Sequence, residues 1–258
     1  MDNIDVKIFE EDGNSPNSVF LYIPQVFSPS SQKGLLGNLD SLPNFQNNFN
    51  FKEDAIIRQQ KWYHHDQTYF CPRWTFKYDR WKSHEYEEFL MVVEHRIQKL
   101  INNLKLESRF GISTPQINSC LVNKYRSGKD YIRPHRDTYL TFGTEPTIVG
   151  LSLGATREIM FRRVVYEPNK KLPKYDVDTS KNFSFQLESG SLFIMAGSSQ
   201  KMFTHEIPRL NEDGTDNEVM DNEVMDNEVM DNEVEEAVGG QVNKNHLRYS
   251  LTFRETMI

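Results

Sequence analysis

The sequence predicts a mainly β domain, an antiparallel sandwich or barrel with helices flanking its sheets. From Gln116 onward, short β-rich runs alternate with turn residues, a pattern typical of many short antiparallel strands. Ahead of these runs lies one amphipathic segment with the period of a helix. A chain of 258 residues is long enough to bury one good core.

The predicted elements follow in chain order. Residues 19–27 indicate a strand and a turn, and a short amphipathic helix is expected near 29–42. A second helix is expected from Ser83, its N-cap, to about Asn103, because apolar side chains recur there at helical spacing. Those apolar residues are Phe89, Val93, Ile97, Leu100, Ile101 and Leu104. The predicted strands are 117–125, 131–136, 147–153, 157–165, 182–188, 191–196, 202–207 and 246–254.

Two units and one insertion are predicted. Residues 1–60 are expected to be an N-terminal extension that packs on a core domain of residues 61–258. Inside the core domain, Asp-Asn-Glu-Val-Met occurs three times from Asp216, and a final Asp-Asn-Glu-Val ends at Val234. A solenoid would need longer units, and this segment has too little apolar surface to offset its ordering entropy. We therefore expect residues 210–244 to be a disordered acidic insertion.

The acidic segment dominates the net charge of −7. Residues 211–236 contain twelve Asp or Glu and no Lys or Arg, so without them 30 basic residues face 25 of the 37 acidic ones, a net charge of +5. A mildly basic body is typical of proteins that bind nucleic acids.

Composition also bears on the compartment. No apolar run approaches the roughly 20 residues of a membrane span, and the N-terminus lacks the order of a signal peptide. The two cysteines, Cys71 and Cys120, predict small buried side chains and no disulfide framework. An intracellular protein, cytoplasmic or nuclear, is therefore expected.

Candidate metal ligands occur at two places in the β-rich half. His135-Arg136-Asp137 offers two ligands two residues apart, and His205 offers a third. Residues two apart share a face if the segment is extended. Two imidazoles and one carboxylate on one side of a metal leave its other positions open, as in non-haem Fe(II) oxygenases. A lone His-x-Asp is more often a surface pair.

Candidate contacts to an organic co-substrate accompany these ligands. Arg248 and Arg254 begin and end the last strand-like run, and residues six apart in a strand share a face. Asn123 and Tyr125 lie upstream. Two guanidinium groups with an amide and a phenol would suit a small dicarboxylate.

Together these motifs resemble the AlkB family of Fe(II)/2-oxoglutarate dioxygenases. The resemblance rests on 72–75, 123–126, 135–137, 151–157, 190–197, His205 and 248–254, and it covers about residues 60–258 in one order. It is closest to members that act on DNA or RNA bases. The family implies a double-stranded β-helix, or jelly-roll, oxygenase core with helices backing one sheet.

The resemblance also implies an activity and the residues that perform it. The implied iron ligands and catalytic centre are His135, Asp137 and His205. The implied 2-oxoglutarate contacts are Asn123, Tyr125, Arg248, Ser250 and Arg254, with Ser250 where the family often has Asn. The implied reaction is O₂-dependent oxidative demethylation of N-alkylated bases in DNA or RNA, a form of DNA damage repair, with release of formaldehyde, succinate and CO₂. A monomer without membrane contact is expected.

The stretch 69–81 is the candidate substrate platform. It interleaves aromatic and basic side chains, and rings stack on an unpaired base at roughly 1–3 kcal/mol each while cations hold phosphates. The alternative is a β-hairpin in which these rings are core. The candidate substrate contacts, from this stretch and elsewhere, are Arg73, Trp74, Phe76, Tyr78, Tyr139 and Arg157.

The sequence departs from the family after Asp137. Base-repairing relatives carry an acid one or two positions later, which accepts a hydrogen bond from an exocyclic amine, whereas this chain has Thr138 and Tyr139. Either Tyr139 stacks or hydrogen-bonds in its place, or the substrate differs from 1-methyladenine and 3-methylcytosine.

Two other functions stay open. A 2-oxoglutarate-dependent hydroxylase of a protein side chain or small molecule would share the iron site but not the 69–81 platform. A non-catalytic binding protein could keep the fold, although the intact triad and both arginines argue against it.

Overall fold

The computed structural model describes residues 4–11, 15–43, 45, 47–49, 55–75, 81–166, 173–210 and 245–257. The candidate contacts Phe76 and Tyr78 lie outside these ranges, as do residues 211–244 of the predicted insertion. The strands are β1 (Asp5–Phe9), β2 (Ser18–Ile23), β3 (Asn47–Phe49), β4 (Ala55–His64), β5 (Ser119–Tyr125), β6 (Ile132–His135), β7 (Ile148–Gly154), β8 (Arg157–Val165), β9 (Lys174–Tyr175), β10 (Phe183–Leu187), β11 (Leu192–Gly197), β12 (Phe203–Ile207) and β13 (Arg248–Arg254). The helices are α1 (Pro29–Ser41), α2 (Glu88–Leu104), α3 (Leu106–Phe110), α4 (Tyr139–Phe142) and α5 (Ser199–Met202), with 3-10 turns at Pro72–Trp74 and Thr179–Lys181.

The described strands form two antiparallel sheets. The larger has the order β1-β2-β11-β7-β13-β5-β4-β3, and the smaller has the order β10-β8-β12-β6 with β9 paired to β8. From β5 onward, most connections cross between the sheets, as when β6 of the smaller sheet is followed by β7 of the larger. This curled pair of antiparallel sheets confirms the expected jelly-roll core with its flanking helices.

Strands such as β2 and β11 of the larger sheet contribute to two cores, because successive side chains point to opposite faces. In β2, Val19 and Leu21 belong to the core under the helices, while Phe20 belongs to the core between the sheets. In β11, Ile194 and Phe193 divide in the same way. The larger sheet is therefore covered on both faces, which explains its nearly continuous apolar strands.

The core between the sheets is aromatic. Phe20 of β2 contacts Phe161 of β8 with ring centroids 4.8 Å apart, and it meets Phe203 of β12 edge-on at 5.2 Å. Such pairs contribute about 0.5–1.5 kcal/mol each beyond their buried area. Phe161 also stacks on His205, with centroids 6.1 Å apart. The inter-sheet core thus continues directly to one of the predicted metal ligands.

Helix α2 packs the other face of the larger sheet. Of the predicted apolar residues, Val93, Ile97, Ile101 and Leu104 are buried at helical spacing, and Phe89 and Leu100 are partly buried against the same core. The predicted start at Ser83 is wrong, because the helix begins at Glu88. The Ser83 amide donates to the carbonyl of Thr68 at 2.7 Å, and the Ser83 hydroxyl accepts from the Thr68 amide at 3.0 Å. These bonds attach Ser83 to the segment after β4.

Residues from the first part of the chain form strands of the larger sheet. Strand β2 lies between β1 and β11, and β4 pairs with β5. The sequence did not predict β1, β3, β4 or β9. Strand β4 runs across residue 60, and the division of the chain at that residue stays a prediction.

Two smaller expectations concern the cysteines and membranes. Cys71 and Cys120 are buried, as predicted, and no disulfide joins them. Among the helices of the described ranges, none is both long and apolar enough to cross a bilayer.

Candidate active site

The three predicted metal ligands come together at one end of the smaller sheet. His135, the last residue of β6, pairs across the strands with His205 of β12, and their ring centroids are 4.1 Å apart. Asp137 follows two residues later, with its Oδ1 3.9 Å from Nε2 of His135. One ligand atom from each residue lies within 4.8 Å of the other two. This spacing suits a single metal ion held by two nitrogens and one oxygen.

Hydrogen bonds orient two of the ligands. Nδ1 of His135 lies 2.8 Å from the carbonyl oxygen of Arg133, which can only accept, so Nδ1 carries the proton and Nε2 is left for a metal. Oδ2 of Asp137 accepts from Nε and Nη2 of Arg254 at 2.9 and 2.7 Å. The second carboxylate oxygen, Oδ1, is the one turned toward His135.

The protonation states also suit metal binding. Burial holds the pKa of His205 well below its ordinary value, and the neighbouring His135 lowers it further. Burial raises the pKa of Asp137, but Arg254 and the two imidazoles outweigh it and the net shift is downward. A neutral imidazole and an ionised carboxylate are the forms that bind metals. Nδ1 of His205 is buried without a hydrogen-bond partner among the described residues.

Arg248 of β13 lines the same pocket from the larger sheet. The residue is only 1% exposed, and burial lowers the pKa of its guanidinium to about 10. Nη2 donates to Oγ of Ser152 at 3.1 Å, while Nε and Nη1 have no partner in the described part of the chain. An isolated buried cation is costly, so this geometry calls for an anion. A carboxylate of 2-oxoglutarate would supply one.

The other predicted co-substrate residues lie on neighbouring strands. Arg248 pairs with Tyr125 of β5, and the guanidinium lies 5.0 Å from the centre of the Tyr125 ring. One row along, Ser250 pairs with Asn123. All four line the pocket that also contains the metal ligands. The sequence prediction thus named residues that the fold assembles from separate strands.

Arg254 occupies a different position from Arg248. Its guanidinium pairs with Asp137, and it is also within 4.8 Å of the Phe142 ring centre. The two arginines therefore differ in their contacts. Arg254 pairs with the candidate ligand Asp137 and has one nitrogen, Nη1, without a partner among the described residues, whereas Arg248 has two, Nε and Nη1.

Among the described residues, the candidate substrate contacts separate into one that lines the pocket, two that are exposed outside it and one that is buried outside it. Trp74 lines the pocket, stacked on Phe70 with ring centroids 5.9 Å apart and 5.2 Å from the Trp81 ring. Arg73 is exposed and lies outside the pocket lining, as does Tyr139 at the start of α4. Their roles as substrate contacts stay predictions.

Arg157 has a different environment from the other candidates. It is fully buried and donates to the carbonyl oxygens of Asp130, at 3.0 Å, and Pro208. It does not line the pocket. These contacts give Arg157 a role in joining the loop before β6 to the end of β12.

Several pocket residues were not predicted from the sequence. Arg58 and Gln60 of β4 line the pocket, and Gln60 pairs with Asn123 across the strands. Nε of Arg58 donates to Oδ1 of Asn123 at 3.1 Å. The alternation Arg58, Gln60, Trp62 on one face was the available signal. Gln200 of α5 was missed as well, and only its contact in the fold identifies it.

The sequence and the fold both match known proteins. Residues 19–254 match the sequence model of the 2OG-Fe(II) oxygenase superfamily. The chain is 30% identical over 162 residues to the Alpha-ketoglutarate-dependent dioxygenase alkB homolog 3 of Homo sapiens, covering 61% of this chain and 53% of that protein. It is 28% identical over 111 residues to the DNA oxidative demethylase ALKBH2 of Arabidopsis thaliana, covering 39% and 35% of the two chains. The match thus spans about half the length of the Homo sapiens relative and about a third of the Arabidopsis thaliana relative.

Solved structures show the same fold. The structure of OsALKBH1 matches with a TM-score of 0.54 at 17% identity, covering 92% of this chain and 96% of that one. A prolyl hydroxylase from Trichoplax adhaerens matches with a TM-score of 0.50 at 13% identity, covering 92% and 83%. At these identities the likeness concerns the fold alone. With the sequence matches, it confirms the resemblance to the AlkB family.

Proposed function

This chain belongs to the 2OG-Fe(II) oxygenase superfamily, and from that membership we propose that it demethylates N-alkylated bases in DNA or RNA. The family implies Fe(II), 2-oxoglutarate and O₂ as cofactors. The described residues fit them, because the His/Asp/His set offers a metal three ligands and the buried Arg248 has two donors without a partner. That pairing of an open metal site with an unpaired buried cation is the observation that carries the proposal.

The proposed roles follow from the contacts. His135, Asp137 and His205 hold iron, and Arg254 keeps the Asp137 carboxylate ionised and oriented. Arg248 binds a carboxylate of 2-oxoglutarate, beside Tyr125 and Ser250. When bound, iron and 2-oxoglutarate supply the oxidising chemistry, in which O₂ and 2-oxoglutarate become succinate and CO₂ and the N-methyl group leaves as formaldehyde.

A nucleic-acid substrate is supported by the named relatives and by the pocket wall. Relatives at about 30% identity include one called a DNA oxidative demethylase. Trp74, Phe70 and Trp81 form an aromatic wall on which a base can stack. A base inside a duplex cannot reach the triad, so the substrate is single-stranded or the base is flipped out. Monomeric state and intracellular location stay predictions from the sequence.

Succinate formation tests the proposal. We expect an oligonucleotide with an N-alkylated base, tested both as 1-methyladenine and as a neutral alkylated base, to stimulate it with stoichiometric formaldehyde. An unmethylated oligonucleotide or a peptide should leave it at the uncoupled rate. Trp74→Ala should lose the stimulation but keep the uncoupled rate, whereas His205→Ala should lose both. Stimulation by peptide alone would indicate a protein hydroxylase, and no succinate under any condition would indicate a binding protein.

A further inference from the structure

Asp137 lies two residues beyond the end of β6, outside the hydrogen-bonded pairing of that strand. Strand β6 ends at His135, and the pairing of β6 with β12 extends from Ile132 to His135. The Asp137 amide therefore has no strand partner, although a metal ligand must be held in place. It donates instead to Oε1 of Gln200, at 2.7 Å.

Gln200 is itself held firmly. Its side chain is 6% exposed, and its Nε2 lies 3.1 Å from Sδ of Met195 on β11. Because only the amide oxygen can accept from the Asp137 N–H, the orientation of the side chain is fixed. Gln200 lies in α5, which leads directly into β12 and its ligand His205.

A second contact joins the ligand segment to α5. Nη1 of Arg136 lies 3.4 Å from the carbonyl oxygen of Lys201, and the hydroxyl of Tyr166 donates to the same oxygen at 3.1 Å. Both residues after His135 are thus attached to α5. One short helix fixes the segment carrying Asp137 relative to the strand carrying His205.

We propose that Gln200 is a positioning residue for the metal centre: by accepting the Asp137 N–H, it places the Asp137 carboxylate for metal binding. Arg254 holds the carboxylate through one oxygen, and Gln200 holds the amide nitrogen, three bonds from the carboxylate carbon, so together they fix the Asp137 side chain from both ends. Outer partners of metal ligands typically affect metal affinity or activity by about 10–100-fold. The inference rests on the proposed function, because it requires that the triad bind a metal.

Three variants of the full chain separate this role from a merely structural one. Gln200→Met has a similar length but no strong acceptor, whereas Gln200→Glu keeps an oxygen at the same reach. Both lose the contact from Nε2 to Met195, so their difference reports the bond to Asp137. Lys201→Ala is the matched control, because it changes only an exposed side chain on the same helix.

Three quantities are measured for each variant. The dissociation constant of Mn(II), from calorimetry, reports metal binding, the Tm of the metal-free protein reports folding, and kcat at saturating Fe(II) reports turnover. We expect Gln200→Met to weaken Mn(II) about 10–100-fold and to recover turnover at high Fe(II), while Gln200→Glu and Lys201→Ala stay within about threefold of the wild type. If Gln200→Met unfolds, Gln200→Asn withdraws the oxygen by one methylene and takes its place.

Each outcome bears on one statement. Wild-type Mn(II) affinity in the folded Met or Asn variant overturns the positioning role, as does equal weakening by the Glu and Met variants. Failure of the wild-type protein to bind Mn(II) would instead overturn the proposed function, so the two failures are distinguishable.

Discussion

Replacing Arg248 by alanine should weaken 2-oxoglutarate binding on the order of a hundredfold while leaving metal binding intact. The magnitude follows from the donors of the guanidinium. One N–H of Nη2 is already bonded to Ser152, which leaves the second N–H of Nη2 together with either Nη1 or Nε for a carboxylate. Two charge-assisted bonds at about 1.5 kcal/mol each amount to about 3 kcal/mol, and each 1.4 kcal/mol is a factor of ten in affinity.

The assay is calorimetric titration of the Mn(II)-loaded protein with 2-oxoglutarate, since Mn(II) permits binding without turnover. Arg254→Ala is the informative comparison, because Arg254 contacts Asp137. We expect that variant to lose Mn(II) affinity first, and 2-oxoglutarate affinity as a consequence. Ser152→Ala keeps the cation and removes one neutral acceptor, so it should cost about tenfold or less.

Two results would refute this reasoning. One is a 2-oxoglutarate dissociation constant for Arg248→Ala close to that of the wild type. The other is a loss of Mn(II) affinity in Arg248→Ala as large as in Arg254→Ala, which would show that the two arginines do not have separate contacts.

Three further predictions concern stability and charge. Ile97→Ala should lower the free energy of unfolding by about 2–5 kcal/mol in urea titrations, because Ile97 lies on the buried face of α2. Val92→Ala, on the exposed face of the same helix, should change it by about 0.5 kcal/mol or less. Burial lowers the pKa of His64 and holds that of His205 well below normal, so both imidazoles take up a proton on unfolding once the pH falls below about 6.5. The free energy of unfolding of the metal-free protein should therefore fall, as the pH is lowered, by up to about 1.4 kcal/mol per pH unit for each imidazole. A free energy of unfolding that does not change with pH in this range would contradict the assignment. Replacing the acidic residues 211–242 with a short Gly-Ser turn should preserve uncoupled turnover and tighten oligonucleotide binding at low salt. The gain in affinity should shrink as the salt concentration rises and screens the charges. Weaker binding at every salt concentration would show that the segment takes part in function.

The strand pattern predicts an antiparallel sandwich or barrel well because the strands alternate between two cores, whereas the jelly-roll form was implied by the family resemblance. In β11, Phe193 faces the smaller sheet and Ile194 faces the helices, so period-two patterning and strong apolar content coincide. The candidate metal ligands and Arg248 could be identified because polar and charged side chains are conspicuous among β-branched and aromatic neighbours, and the family resemblance then implied their roles.

What the sequence could not predict depends on contacts between distant segments. Strand β4 was missed because its pocket-facing residues, Arg58 and Gln60, are polar and do not resemble a core strand. Gln200 precedes β12 in the chain without any motif, and its bond to Asp137 exists only because β6 and β12 pair. Ser83 satisfies an N-cap pattern but bonds to Thr68, a tertiary contact that local propensity does not include.

The absence of an acid after Asp137 has a consequence for the pocket. Thr138 is buried as the cap of α4, where its hydroxyl accepts from the Leu140 amide at 3.3 Å, and Tyr139 is 57% exposed. Among the described residues that line the pocket, Asp137 is the single acidic side chain, and Arg254 already pairs with it. A base bound in this pocket would therefore meet stacking surfaces such as Trp74 and, among the described residues, no carboxylate available to an exocyclic amine. Of the two explanations for the substitution, this geometry favours a substrate that is recognised without an acid over a Tyr139 that replaces it.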